Sequence, residues 1–83
     1  MEYKYSAHAI FEMHRRDIAK NIVDGIIRQP GQKIPEHGNV WCCQSKIEIS
    51  GKKYLLRVMV NETKIPPLIV TVYRTSKAEK YWR

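Results

Sequence analysis

A histidine, a glutamate and an arginine at positions 8, 12 and 16, a lone arginine at 57 inside an apolar run, and a closing stretch that mixes cations, hydroxyls and aromatics are the residues of this chain that could do chemistry. On a helix, His8, Glu12 and Arg16 fall at i, i+4 and i+8 and share one face over about 12 Å. The acid-before-base order pairs Glu12 with Arg16. His8 is then a candidate proton carrier, since an imidazole titrates near neutral pH; its plain alternative is a helix-start residue bonded to backbone. Arg57 lies between Leu56 and Val58, where a strand built only for stability would carry Thr or Val, so it is a candidate anion ligand or else a solvated charge on an open sheet face. The run Thr71-Val72-Tyr73-Arg74-Thr75-Ser76-Lys77, followed by Lys80-Tyr81-Trp82-Arg83, has the composition that holds phosphates while stacking on unpaired bases. Its alternative is a C-terminal clamp in which Tyr81 and Trp82 fill a gap in the core.

Metal chemistry has little to stand on here. Cys42 and Cys43 are adjacent, so on a strand they point to opposite faces and do not bridge one another, and His8, His14 and His37 show no ligand spacing with them. A nucleotide-binding loop and a Ser or Cys nucleophile setting are likewise missing from the sequence, and no cofactor is expected. Cleavage of RNA needs none of these. The 2′-hydroxyl is a built-in nucleophile, and the protein need supply only a base, an acid and cations for the developing phosphorane charge. In that reading Arg57 and Lys77 hold the scissile phosphate, His8 or Tyr73 moves protons and Thr75 orients the substrate, with Arg16, Lys46, Arg74 and Lys80 as further RNA contacts.

Fifteen Lys and Arg against eight Asp and Glu in 83 residues give a formal charge of +7. Residues 1–30 hold five cations and four anions, whereas 31–60 and 61–83 each hold five against two, so the excess belongs to the later part of the chain. That favours an anionic partner. The length allows one domain, 1–83, and 43% hydrophobic residues are enough to build a core, which argues against wholesale disorder. With no long apolar run and no basic-then-apolar start, no membrane span or signal peptide is expected and the location is read as cytoplasmic.

The elements that must position these residues follow from periodicity. Ser6 caps a helix over Ala7–Arg15; Asp17 caps a second whose stripe is Ile18, Ile22, Val23, Ile26 and Ile27, ended by Pro30-Gly31. Residues 30–39 have loop chemistry with a short edge strand near Lys33-Ile34. From Val40 to Ile49 side chains alternate, and Ser50-Gly51-Lys52-Lys53, with Gly first of the two central residues, suits a type II′ hairpin. That turn pairs Ile49 with Tyr54, Ile47 with Leu56, Ser45 with Val58 and Cys43 with Val60, and it sets Lys46 beside Arg57. A further strand spans Leu68–Arg74. The expected fold is α+β, two N-terminal helices on one face of a three- to four-stranded antiparallel sheet, with Gln44, Lys46, Leu55, Arg57, Met59, Ile69, Thr71 and Tyr73 on the open face.

Ser6-Ala7-His8-Ala9 with Met13 and Arg16-Asp17-Ile18, the mid-strand Leu56-Arg57-Val58, and the ending Thr71 to Lys77 with Lys80-Tyr81-Trp82 resemble a bacterial family of uncharacterised domains grouped with RelE/ParE-like toxins and the barnase-EndoU-colicin-RelE fold. Asp17 stands where that family usually has Gly. The resemblance implies a RelE-like fold and a metal-independent endoribonuclease toxin of a toxin–antitoxin pair that cleaves mRNA, on the ribosome or off it, under control of an acidic antitoxin. It points to His8, Arg16, Arg57, Tyr73, Thr75 and Lys77. The alternatives are a non-catalytic RNA-binding or ribosome-associated module and an interaction protein that docks an acidic partner; oligomeric state is not legible at this level.

Overall fold

The computed structural model describes residues 2–83. Its first elements are β1 (Lys4–Tyr5), α1 (Ala7–Arg15) and α2 (Lys20–Arg28), followed by β2 (Gln32–Pro35), β3 (Val40–Ile49), β4 (Lys52–Asn61), β5 (Leu68–Thr75) and a one-turn helix α3 (Ala78–Tyr81). The sheet order is β1-β5-β4-β3-β2. The α+β class stands, but the sheet has five strands and is mixed, because β1 runs parallel to β5 while the other pairs are antiparallel. A two-residue strand carries no readable alternation. It is held by Lys4 N–H to Pro67 O and Ser6 N–H to Ile69 O, both 2.9 Å, and by Tyr3 and Tyr5, whose hydroxyls donate to Asp24 Oδ1 of α2 at 2.5 and 2.6 Å.

Ser6 caps α1 as its sequence requires: its Oγ accepts from Ala9 N–H at 2.9 Å and donates to Val70 O at 2.8 Å, so one hydroxyl starts the helix and anchors it to β5. The helix ends in a Schellman closure, with Asp17 N–H bonded to His14 O and Ile18 N–H to Met13 O. This corrects the expected role of Asp17. It is the left-handed residue of that closure, at φ +53°, and α2 starts later, at Lys20, after an Ala19 cap that makes no side-chain bond. Ile18 therefore leaves the α2 stripe and packs beside Met13 in the core. On the outer flank, Glu12 accepts from Arg15 and Arg16 at 2.9 Å each, and these bonds hold its carboxyl down from the usual 4.5 to about 2.

The β3–β4 turn also differs from expectation. Ser50 and Gly51 are the two central residues, at φ +51° and +80°, as a type I′ hairpin requires. The register is displaced by two residues: Ile49 pairs with Lys52, Ile47 with Tyr54, Ser45 with Leu56, Cys43 with Val58, and Gln44 rather than Lys46 lies opposite Arg57. A two-residue displacement leaves every side chain on its expected face. On β5 an extra residue, Val70, is accommodated where Val60 pairs with Ile69 and Met59 with Thr71. The bulge swings Ile69 from the expected open face into the helix-side core, formed with Ala9, Met13, Ile18, Val23, Ile26, Cys43, Leu56, Val58, Val60 and Val72. Among the described residues no helix is long and apolar enough to cross a membrane.

Two outcomes follow. Replacing the left-handed Asp17 by Gly removes a steric penalty and a negative charge from a helix C-terminus, and thermal melting should show a gain of about 0.5–1 kcal/mol, roughly 2–8 °C in Tm; a lower Tm would mean that the carboxylate makes a stabilising contact. Because the Glu12 carboxyl is depressed in the folded state, its contribution is complete above about 4.5 and is lost as pH falls toward about 2. Urea titrations between these limits should show a steeper loss of stability for the natural chain than for Glu12→Gln.

Candidate functional site

The sheet face away from α1 and α2 is expected from sequence to be open. It is covered. Cys42, Gln44 and Leu55 are fully buried there and Arg57 is 4% exposed, because the segment after β5 folds back across it and the loop after β2 closes over its end. The face holds a polar cluster. Arg57 Nε donates to Gln44 Oε1 at 2.9 Å, Nη1 to Tyr73 OH at 2.7 Å and Nη2 to Glu36 Oε1 at 2.9 Å. The Tyr81 ring stacks on the guanidinium at 4.4 Å. Three N–H donors and one flat face of Arg57 are thus engaged, which is what makes a buried cation tolerable.

Each partner comes from a different element, and register delivers it. Gln44 and Tyr73 are the cross-strand neighbours of Arg57 on β3 and β5. Glu36 arrives from the β2–β3 connection, where its N–H bonds to Val40 O at 3.0 Å. Gln44 also donates from Nε2 to Gln32 Oε1 at 2.8 Å and to the Tyr81 carbonyl at 3.2 Å. The chain is extended once more by Gln32, whose amide donates to the Arg83 carbonyl and whose Oε1 accepts from Arg83 N–H. Burial disfavours the Arg57 charge, but the Tyr73 and Glu36 contacts outweigh it and raise the proton affinity above the ordinary. Burial likewise pushes the neighbouring Cys42 thiol up to about 11, so Cys42 is not a nucleophile at neutral pH. Both cysteines are buried free thiols.

The candidates singled out from sequence fall on two sides of the sheet. Arg57 and Tyr73 are in contact, Thr75 lies on the same face by register, and Lys46 and Lys80 flank the cluster over the rings of Trp82 and Tyr81 at 4.4 and 5.4 Å. Lys77 is exposed just beyond β5, its N–H capped by Thr75 Oγ1 at 3.1 Å. His8, Arg16 and Arg74 do not join them. His8 is exposed on α1, which packs against the opposite face through Ala9 and Met13. Arg74 is opposite Leu56 and so points to that same helix side, where Nη1 donates to the Arg16 carbonyl at 2.5 Å and the guanidinium lies over Tyr54 at 5.3 Å. Arg16 is engaged with Glu12. The expected convergence of His8 with Arg57, Tyr73 and Lys77 therefore does not occur, because helix and strand side chains sit on opposite layers. The expected Lys46–Arg57 repulsion is absent too, since Lys46 faces Leu55.

Glu36 and Gln32 are the site residues that sequence reasoning missed, and Tyr81, expected to stack on bases or to fill the core, lies against Arg57. Glu36 and Gln32 lie in or beside a segment read as loop, and Gln44 was placed on the right face without its partner. The Gln-x-x-x-Glu spacing of residues 32–36 carries no periodic signal; only the β2–β3 pairing Gln32 to Gln44 brings it beside Arg57. Beside the cluster runs an open groove of about 820 Å³ lined by Lys46, Lys53, Tyr54, Ser76 and Trp82, with Glu48 and Glu79. Among the described residues, no group of three His, Cys, Asp or Glu side chains is placed to hold a metal ion. Comparison with protein-family models, curated proteins and solved structures finds no match to this chain.

Removing two bonded members of the cluster together should cost less than the two single removals added. Gln44→Leu strands a buried Arg57 donor and is expected to lose about 1–3 kcal/mol in urea unfolding. Arg57→Met in the Gln44→Leu background should lose much less than the sum of the singles; strict additivity would show that the bond between them carries no stability.

Proposed function

We propose that the protein acts on RNA as a RelE-like, metal-independent endoribonuclease toxin, and that Arg57, Tyr73 and Glu36 form its reactive group. The observation that carries the reading is a phenol and a carboxylate that each lie within hydrogen-bond distance of the same guanidinium, beside a groove in which Lys46, Lys53 and the rings of Tyr54 and Trp82 stand with Glu48 and Glu79. Those are the parts that metal-independent cleavage needs: a carboxylate to take the 2′-hydroxyl proton, a guanidinium to stabilise the phosphorane, and a phenol in the same hydrogen-bond system to deliver a proton to the leaving oxygen. Lys46, Lys77 and Lys80, with Thr75, supply phosphate contacts around it. Trp82 and Tyr54 in the groove offer ring faces for unpaired bases. His8 has no part in this version of the chemistry. An acidic antitoxin covering the basic side, and action on ribosome-bound mRNA, remain part of the proposal.

A second reading is a non-catalytic RNA-binding or ribosome-associated module. The Arg57–Glu36 ion pair favours it, because a guanidinium already neutralised at 2.9 Å has less charge to give a phosphate. An interaction protein that docks an acidic partner would use the same basic surface.

Purified protein incubated with single-stranded RNA in EDTA distinguishes them. Cleavage is expected, slowed at least tenfold by Tyr73→Phe and by Glu36→Gln and changed less than twofold by His8→Ala. Cutting at the natural rate by both Tyr73→Phe and Glu36→Gln would remove the assignment. RNA that stays intact but binds with a salt dependence of roughly 0.7 in log affinity per neutralised phosphate would establish the binding module instead.

A further inference from the structure

The segment after β5 is attached to the sheet in an unusual way for a structural clamp. Helix α3 has no buried residue, and its Lys77 cap makes no side-chain bond. Tyr81 and Trp82 are only half-buried. What joins the segment to the sheet is polar: the Tyr81 ring lies against the Arg57 guanidinium, 4.4 Å from Cζ to the ring centroid, the Tyr81 carbonyl accepts from Gln44 at 3.2 Å, the Arg83 main-chain oxygen accepts from Gln32, and Trp82 lies under the Lys46 ammonium at 4.4 Å. Both aromatics of the tail thus meet cations, and its main-chain oxygens meet two amides.

Each of these contacts is one that a nucleotide can make. A base can stack on a guanidinium as Tyr81 does. Its exocyclic carbonyl, or a phosphate oxygen, can accept from the Gln44 and Gln32 amides as the two main-chain oxygens do. We infer that residues 78–83 form a displaceable strap that occupies a single-stranded RNA site on the Gln32–Gln44–Arg57–Tyr73 face, so that RNA binding requires the strap to lift. This rests on the RNA-directed reading above and adds regulation to it. In the strapped state Arg57 is shielded and the protein is held back; when the strap lifts, Arg57 and both amides are exposed, and Lys80 and Arg83 are free to follow the phosphates. Terminal segments with little buried apolar surface are the parts of a fold that open most readily, so the device needs no global unfolding.

One residue outside the strap permits a clean test. Gly31 packs under Trp82, and a Cβ added there would come within 3.0 Å of the far edge of the indole and 3.2 Å of the Gln44 carbonyl. Gly31→Ala should therefore wedge the strap away while leaving the side chains of Gln32, Gln44, Arg57 and Tyr73 unsubstituted; Tyr81→Ala loosens it from the other side. Binding of a fluorescein-labelled, fully 2′-O-methylated twelve-nucleotide single-stranded RNA, which lacks the nucleophile for cleavage, is read by anisotropy, and amide hydrogen exchange of residues 80–83 is followed with and without that RNA. Both variants are expected to bind five- to tenfold more tightly than the natural chain, with faster exchange in the strap, and RNA should speed strap exchange in the natural chain. Weaker binding by both variants, or strap amides that become more protected when RNA binds, would overturn the strap and make the tail part of the binding surface, leaving the RNA-directed reading intact. Failure of all three proteins to bind RNA, with the strap exchanging faster in the variants, would overturn that reading and the inference with it.

Discussion

A guanidinium buried in a small domain has to be satisfied on every side or it unfolds its surroundings, and the way Arg57 is satisfied sets the arrangement of half the molecule. Gln44 can reach Nε only if β3 and β4 pair as they do, and Tyr73 can reach Nη1 only in the observed β4–β5 register. Glu36 holds the β2–β3 connection over the face, and Tyr81 draws the C-terminal segment across it. A shift of two residues in β3 would put Lys46 opposite Arg57 and replace a hydrogen bond by a repulsion between like charges away from water. Buried polar groups of this kind act through specificity more than through net stability, since well-packed apolar residues could fill the same space.

The two faces of the sheet accordingly do different work. On the helix side, Ala9, Met13, Val23 and Ile26 meet Leu56, Val58, Val60, Ile69 and Val72 in an apolar core that depends on shape and buried area. The other side joins Leu55 and Met59 to a chain of amides, a guanidinium and phenols that extends from Gln32 to Tyr73 and is closed by main-chain groups of the tail. This polar side, together with the cations around it, is what the proposed action on RNA uses. On the helix side the Arg16 guanidinium is engaged with Glu12 of its own helix, and Arg74 ties β5 to the end of α1 through the Arg16 carbonyl.

Where the sequence could be read directly, one local rule governed the element. Ser6 as a helix cap, Ala7–Arg15 as a helix, and the faces of β3 and β4 each follow from a single hydroxyl or a single periodicity. Where two rules competed, local reading went astray. Asp17 is as good a helix cap as it is a left-handed closure residue, and the choice fell to the closure because it buries Ile18 against Met13. The bulge at Val70 interrupts an alternation that would otherwise hold Ile69 on the polar face. β1 and Glu36 belong to segments too short or too irregular to carry a pattern at all.

The hairpin shows most clearly where the boundary lies. Alternation of apolar and polar residues from Val40 to Val60 determines that two strands pair and which side chains share a face. It repeats every two residues, however, so it has the same value in registers two residues apart, and both Ser50-Gly51 and Gly51-Lys52 have acceptable turn chemistry. Only the tertiary structure chooses between them, because only there does Arg57 leave water and require Gln44, Tyr73, Glu36 and Tyr81 at once. The residue types of the polar cluster were present in the sequence from the start; which of them meet was decided by how a buried charge had to be paired.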